Sequence, residues 1–267
     1  MDILFHPAPE GTGLVFYKKV GRKDVLLPVH LRHVLDTSLA VTLGNADMHV
    51  QTVEHLLYAL FVEGITDLVI EVQGGSEIPI LDGSAKEFLD LFGSLETHEL
   101  HAEWEPIRIT RPVSVSDGDR YIVGLPADDY LISYSIDYPH PHLKNQYIQL
   151  SFTKDVFRRE IGHARTFGFL KDIEYLRSKG LAQGGSEQNA LIYTPTDTLN
   201  EPRFDRESLH HKVLDLIGDL ALIGRPLIGH VLGSRAGHAL DVAFGKKVLK
   251  NFTQESELNF FISQSAG

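Results

Sequence analysis

Four short stretches of the chain carry side chains suited to hydrolytic chemistry. His211 and Asp215 are four residues apart in a segment of helical periodicity, so they share one face, and Asp219 continues the stripe. An imidazole and a carboxylate at that spacing can bind one Zn²⁺ at about 2 Å. A solvated polar face, opposite Val213, Leu214, Leu216, Ile217 and Leu220, explains the same spacing and is the preferred account on spacing alone. Glu54-His55 is the second stretch. Adjacent helical residues point about 100° apart. A metal on His55 would therefore leave Glu54 beside a water that it could deprotonate. A glutamate favouring the dipole of a helix start is the simpler account of Glu54 by itself. The HExxH pattern is absent, so further ligands have to come from elsewhere in the chain. Gly237-His238 follows a strand-like run, where a histidine faces either a cleft or plain solvent. In the run from Ala164 to Phe169, Thr166 is suited to donate a hydrogen bond to an oxyanion, while Phe167 and Phe169 suit a core.

Composition narrows the chemistry. The 267 residues suit one large domain or two small ones, and 43% hydrophobic with 23% charged residues is the balance of a globular protein. A net charge of -11 argues against general nucleic-acid binding, which needs a basic footprint. With no cysteine, disulfides and thiolate zinc sites are excluded, so any metal must be held by His, Asp or Glu. There are 14 histidines to choose from. The start, MDILFHPAPEGTG, lacks the basic and apolar parts of a secretory signal, and no run of about 18 apolar residues predicts a membrane span. The expected compartment is the cytoplasm.

Periodicity predicts the elements that must position these groups. Strands are expected at 3–5, 13–17, 25–29, 39–43 and 67–72. A helix is expected over 52–61, capped by Thr52 and stopped by Gly64, and another over 84–92 capped by Ser84. After Pro106, strands of an antiparallel sheet are predicted at 107–115, 120–125 and 131–136, with a further strand at 228–234. Helices are predicted at 172–179, 207–223 and 238–250. One order, helix then strand then helix, occurs at 55–92 and again at 215–249, a faint hint of two similar α+β halves.

The runs TVEHLLYAL (52–60), EIPILDGSAKEF (77–88), ARTFGFLKDIEYLRSKGL (164–181), HKVLDLIGDL (211–220) and GHAL (237–240), taken in this order, resemble the UDP-3-O-acyl-N-acetylglucosamine deacetylases of lipid A biosynthesis. The resemblance implies an α+β fold of two similar domains, 1–105 and 106–267. Each is a sheet packed on helices, with the helical layers facing each other across the active site. It implies small inserts near 25–50 and near 169–193, the second forming an apolar passage for an acyl chain. It implies one catalytic Zn²⁺ held by His55, His211 and Asp215, with Glu54 as general base. His238 would stabilise the oxyanion and protonate the leaving amine, Asp219 would orient His238, and Thr166 would donate to the oxyanion. Lys212 would bind substrate and Phe167 would stack near the sugar nucleotide. The implied reaction is hydrolysis of the acetamide of an acylated sugar nucleotide, by a monomer without nucleic-acid partners.

Two departures from the family pattern stand out. The family opens with a strand and a Gly-His turn ahead of the segment that begins here at Asp2, so either the first strand of domain one is absent or the start of the gene lies upstream of Met1. His210 stands where many relatives carry Arg, and helical geometry predicts that it points away from His211. The short run His140-Pro141-His142 is expected to be a loop without a metal role. A related zinc amidohydrolase acting on another N-acetyl sugar, and a non-catalytic binding homologue, are the competing readings. Dependence on the 3-O-acyl chain separates the first of these from the deacetylase, and the intact set of Glu54, His55, His211, Asp215 and His238 argues against the second.

Overall fold

The computed structural model describes residues 1–101, 105–172 and 186–253. Its first half builds a four-stranded sheet from β1 (Asp2–Pro7), β2 (Leu14–Val20), β3 (Lys23–Pro28) and β7 (Leu68–Gln73), in the order β1-β7-β2-β3. β7 runs parallel to β2 and antiparallel to β1, and β2–β3 is a hairpin. Three short strands, β4 (Val34–Asp36), β5 (Thr42–Gly44) and β6 (His49–Gln51), form a separate antiparallel sheet. Helices α1 (Glu54–Glu63) and α2 (Lys86–Ser94) complete this half.

The second half has a six-stranded sheet. β8 (Ile107–Arg108), β9 (Val113–Asp117), β10 (Arg120–Leu125), β11 (Tyr130–Ile136), β12 (Gln146–Ser151) and β15 (Leu227–Ser234) belong to it. The order is β12-β11-β15-β10-β9, with β8 also pairing to β15. Between β12 and the last helices lie the short α3 (Lys154–Val156) and the parallel pair β13 (Phe167–Phe169) and β14 (Leu191–Tyr193). α3 runs into a π-helical turn over Phe157–Ile161, closed by the Gly162 N–H on the Phe157 carbonyl. The long helices are α4 (Glu207–Ala221) and α5 (His238–Phe252). Among the described residues, no helix is long and apolar enough to cross a membrane.

The fold is thus a mixed α+β one, and most predicted elements are present, with four corrections. The strand predicted at 107–115 is broken between β8 and β9, where Pro112 has no N–H to give a ladder. The second sheet is mixed, because β15 runs parallel to β11. Thr52 does not cap α1: it sits at φ +58° with its hydroxyl on Glu77, and Val53 precedes the helix. Ser84 accepts the Lys86 N–H as expected of a cap, but the helix itself starts at Lys86. The helix predicted at 172–179 lies, apart from Asp172, outside the described residues.

Burial explains the layout. In β15, Leu227, Gly229, Val231 and Gly233 alternate inward. α1 is apolar on nearly every face, as a helix enclosed by neighbours requires, and Gly64 ends it in the left-handed conformation at φ +75°. α1 packs on both α2 and α4. The crossing with α4 is so close that a Cβ on Gly218 would stand 2.2 Å from the Glu54 carbonyl oxygen. One continuous hydrophobic core includes Phe16 and Leu56 from the first half and Leu214 and Phe244 from the second.

Candidate active site

The close crossing at Gly218 decides what the two helices bring together. α1 contributes Glu54 and His55 from its first turn, and α4 contributes His211, Asp215 and Asp219 from its middle. Every residue of α4 from Glu207 to Leu220 is buried, so its polar stripe is not a solvated face. The stripe instead meets the start of α1. His211 Nε2 lies 3.3 Å and His55 Nε2 3.9 Å from Asp215 Oδ1. The two imidazole rings stand edge to face with centroids 5.1 Å apart.

These three residues form a candidate metal-ligand group, their donor atoms within 4.8 Å of one another. Donors at tetrahedral angles around a zinc ion at 2.0–2.1 Å are separated by about 3.3 Å, so the arrangement fits zinc with small adjustments. Protonation states agree. Burial pushes the His55 imidazole down to about 3, with the His211 charge adding to the effect. Burial also lowers His211. Burial alone would raise Asp215, but His211 and Lys212 outweigh it and hold the carboxyl well below the usual range. Two neutral imidazoles and an ionised carboxylate are the forms that ligate a cation.

Surrounding groups fix these donors. His211 Nδ1 lies 3.0 Å from the Ala164 carbonyl oxygen. A proton donated there leaves the Nε2 lone pair facing Asp215, the arrangement a ligating histidine needs. Ala164 is held in turn by its neighbour Arg165. The Arg165 backbone N–H and guanidinium both donate to Glu207, which opens α4 and also accepts the Arg203 N–H. Lys212 Nζ donates to Asp215 Oδ2 at 2.7 Å, so its ammonium is engaged beside the ligand set.

Glu54 stands next to this group. Its Oε2 accepts the Val41 N–H at 3.1 Å, and its Oε1 lies 3.9 Å from His238 Nε2. Burial, opposed by His238 and aided by Asp219 and Asp215, pushes the Glu54 carboxyl up to about 7, the range of a general base working near neutrality. His238 opens α5, as expected of a turn after β15, and its Nδ1 lies 2.7 Å from Asp219 Oδ2. Phe167 reaches the same region, its ring 6.4 Å from that of His211. Thr166, half-buried, is tied into place by its N–H on the Gly83 carbonyl and its own carbonyl on the Leu191 N–H. His210 points away, with Nδ1 at the Arg206 carbonyl and its ring against Phe204. His140 is buried, with Nε2 at the Thr194 carbonyl, and stands apart from the ligand group.

Spacing could not find several of these partners. The Ala164 carbonyl and the Val41 N–H are backbone groups with no residue signature. Asp241, three residues beyond His238, reads in sequence as an ordinary acid in a first helical turn.

A buried His-His-Asp group, with an ionisable carboxylate on one side and a carboxylate-held imidazole beyond it, is the donor set of a mononuclear zinc hydrolase. A family model described as UDP-3-O-acyl N-acetylglycosamine deacetylase matches residues 1–250. A UDP-3-O-acyl-N-acetylglucosamine deacetylase of Leptospira biflexa is 46% identical over 255 residues, covering 95% of this chain and 84% of the relative. Proteins of the same description from Myxococcus xanthus and Pseudomonas entomophila are 43% and 42% identical, covering 94% and 96% of this chain and 80% and 85% of theirs. The chain belongs to the UDP-3-O-acyl-N-acetylglucosamine deacetylase family.

Proposed function

We propose that the protein hydrolyses the acetamide of UDP-3-O-acyl-N-acetylglucosamine, releasing acetate and the free amine of UDP-3-O-acyl-glucosamine for lipid A synthesis, in the cytoplasm. Family membership supports the substrate. The observation that carries the chemistry is the meeting of His55 and His211 Nε2 at Asp215 Oδ1, with Glu54 beside them.

His55, His211 and Asp215 would hold one zinc ion. When bound, zinc supplies a Lewis acid for the acetamide carbonyl and acidifies water. Glu54 Oε1 takes a proton from the attacking water as its oxygen adds to the carbonyl carbon. Thr166 donates a hydrogen bond to the oxyanion that forms, and protonated His238 offsets its charge from Nε2. The C–N bond breaks as that Nε2 proton passes to the amine nitrogen, and acetate leaves. Asp219 holds the opposite ring nitrogen of His238 and keeps the imidazole aimed. Lys212 and Phe167 bind the sugar nucleotide. The rings of Tyr138, Phe167, Phe169 and Tyr193, with centroids about 6 Å apart, offer an apolar wall at the base of the second insert.

The same reading divides the chain into similar halves, 1–105 and 106–267, whose helical layers face each other across the site. Strand pairing supports it. In each half a hairpin (β2–β3, β11–β12) lies beside a parallel strand (β7, β15), which pairs antiparallel with another (β1, β10).

Acetate release from the acylated sugar nucleotide by the purified protein, before and after chelation and zinc restoration, tests the proposal. Activity that a chelator abolishes and zinc restores is expected, with a sharp loss when the 3-O-acyl chain is removed from the substrate. Full activity in the chelated protein would refute it.

A further inference from the structure

The polar chain behind His238 does not end at Asp219. Asp241 lies in the first turn of α5, its N–H on the Gly237 carbonyl, and a carboxylate oxygen of Asp219, one of Asp241 and a ring nitrogen of His238 lie within 4.8 Å of one another. Asp219 and Asp241 are both 0% exposed. Asp219 gives Oδ2 to His238, while its Oδ1 and both oxygens of Asp241 are buried without a hydrogen-bond partner.

As two bare carboxylates these groups would repel each other in a dry interior and leave three acceptors unmet. The charges and hydroxyl around them offer little relief. On α4 the Lys212 ammonium is bonded to Asp215, and on β11 the Tyr134 hydroxyl donates to the Ala236 carbonyl. His238, on α5 itself, is directed at Asp219. A single proton between the two carboxyls removes the repulsion and supplies the missing donor.

We propose that Asp241 carries that proton and donates it to Asp219 Oδ1, making Asp241 a positioning residue for the Asp219–His238 pair. Burial first and then the Asp215 charge raise Asp219, burial and then the Asp219 charge raise Asp241, and the hydrogen bond between the two raises Asp241 and lowers Asp219. The bond pins the plane of Asp219 and keeps it ionised, so that its other oxygen holds the His238 Nδ1 proton while Nε2 faces the reaction. The kinetic consequence rests on the role proposed above for His238; the proton itself does not.

Infrared difference spectroscopy of the zinc-loaded protein in light and heavy water reads the proton directly. The carbonyl stretch of a buried carboxylic acid is expected at neutral pH, retained in Glu54→Gln and lost in the double variant Glu54→Gln/Asp241→Asn. Asn still donates to Asp219, so Asp241→Asn is expected to keep kcat near the wild-type value. Asp241→Leu is expected to lower kcat by about tenfold or more, with KM and zinc content unchanged. No acid band in Glu54→Gln, a band that persists in the double variant Glu54→Gln/Asp241→Asn, or an Asp241→Asn enzyme as slow as Asp241→Leu would each overturn the proposal. A wild-type protein that releases no acetate would instead overturn the functional reading, and the infrared result would still decide the shared proton.

Discussion

Glu54 and His211 belong to one candidate site but answer different questions about it. Glu54 is held by the Val41 N–H and faces His238, outside the ligand group. Glu54→Ala is therefore expected to retain zinc while losing about 10²- to 10⁴-fold in kcat, the usual worth of a general base. His211→Ala removes a proposed ligand and is expected to lose both metal and turnover; metal analysis beside an acetate assay distinguishes the two. A second residue-scale prediction concerns His30, far along the chain from the ligands. Its Nδ1 accepts the Arg32 N–H, and burial first, then the Arg32 and His33 charges, lower its pKa from 6.5 to about 4. Between those values the unfolded chain binds a proton that the folded one refuses, so stability falls as pH drops from about 6.5 towards about 4. His30→Asn keeps an acceptor for the cap without the titration and is expected to flatten that segment of a stability–pH curve by on the order of 2 kcal/mol. Sequence spacing exposed the residues proposed to do chemistry but not their meeting. Nothing local relates residue 55 to residue 211, and only resemblance to a family joined them.

At the scale of elements, the distance between α1 and α4 governs the ligand geometry. Gly218→Ala would drive a methyl into the Glu54 carbonyl, 2.2 Å away, and that backbone cannot swing aside as a flexible side chain could. A loss of about 1–3 kcal/mol in urea unfolding is expected, the usual cost of overpacking, together with weaker zinc binding in a competition titration. Unchanged zinc affinity would mean that the helices separate without moving the donors. The helices and strand that carry the site were legible, because α4, α5 and β15 have clear apolar periods and Gly or Pro at their ends. Other features were not. Thr52 looks like a cap, yet its hydroxyl is drawn to Glu77, a long-range contact that overrides a local preference. The parallel pairing of β11 with β15 depends on which strands end as neighbours, and alternation along a strand does not encode that. The π-helical turn at 157–161 has no compositional mark at all.

For the whole molecule, the proposed ion is a tie between segments that the core already joins. An ion bound only by the folded state adds stability with its concentration, about 2.7 kcal/mol at a hundredfold excess over Kd. A chelator is expected to lower the thermal midpoint of the wild-type protein and to leave that of His211→Ala unmoved, as differential scanning calorimetry would record. An equal shift in both would place the stabilising ion elsewhere.

The crossing of α1 over α4 also sets an order of events during synthesis. A ribosome delivers His55 long before His211 and Asp215, so one imidazole waits on the nascent chain with no companions. The proposed ligand group is complete only after the later helix has emerged and docked at Gly218. Loading of the proposed ion would thereby wait for the later helix, and a polypeptide terminated ahead of it would carry only one of the three proposed donors.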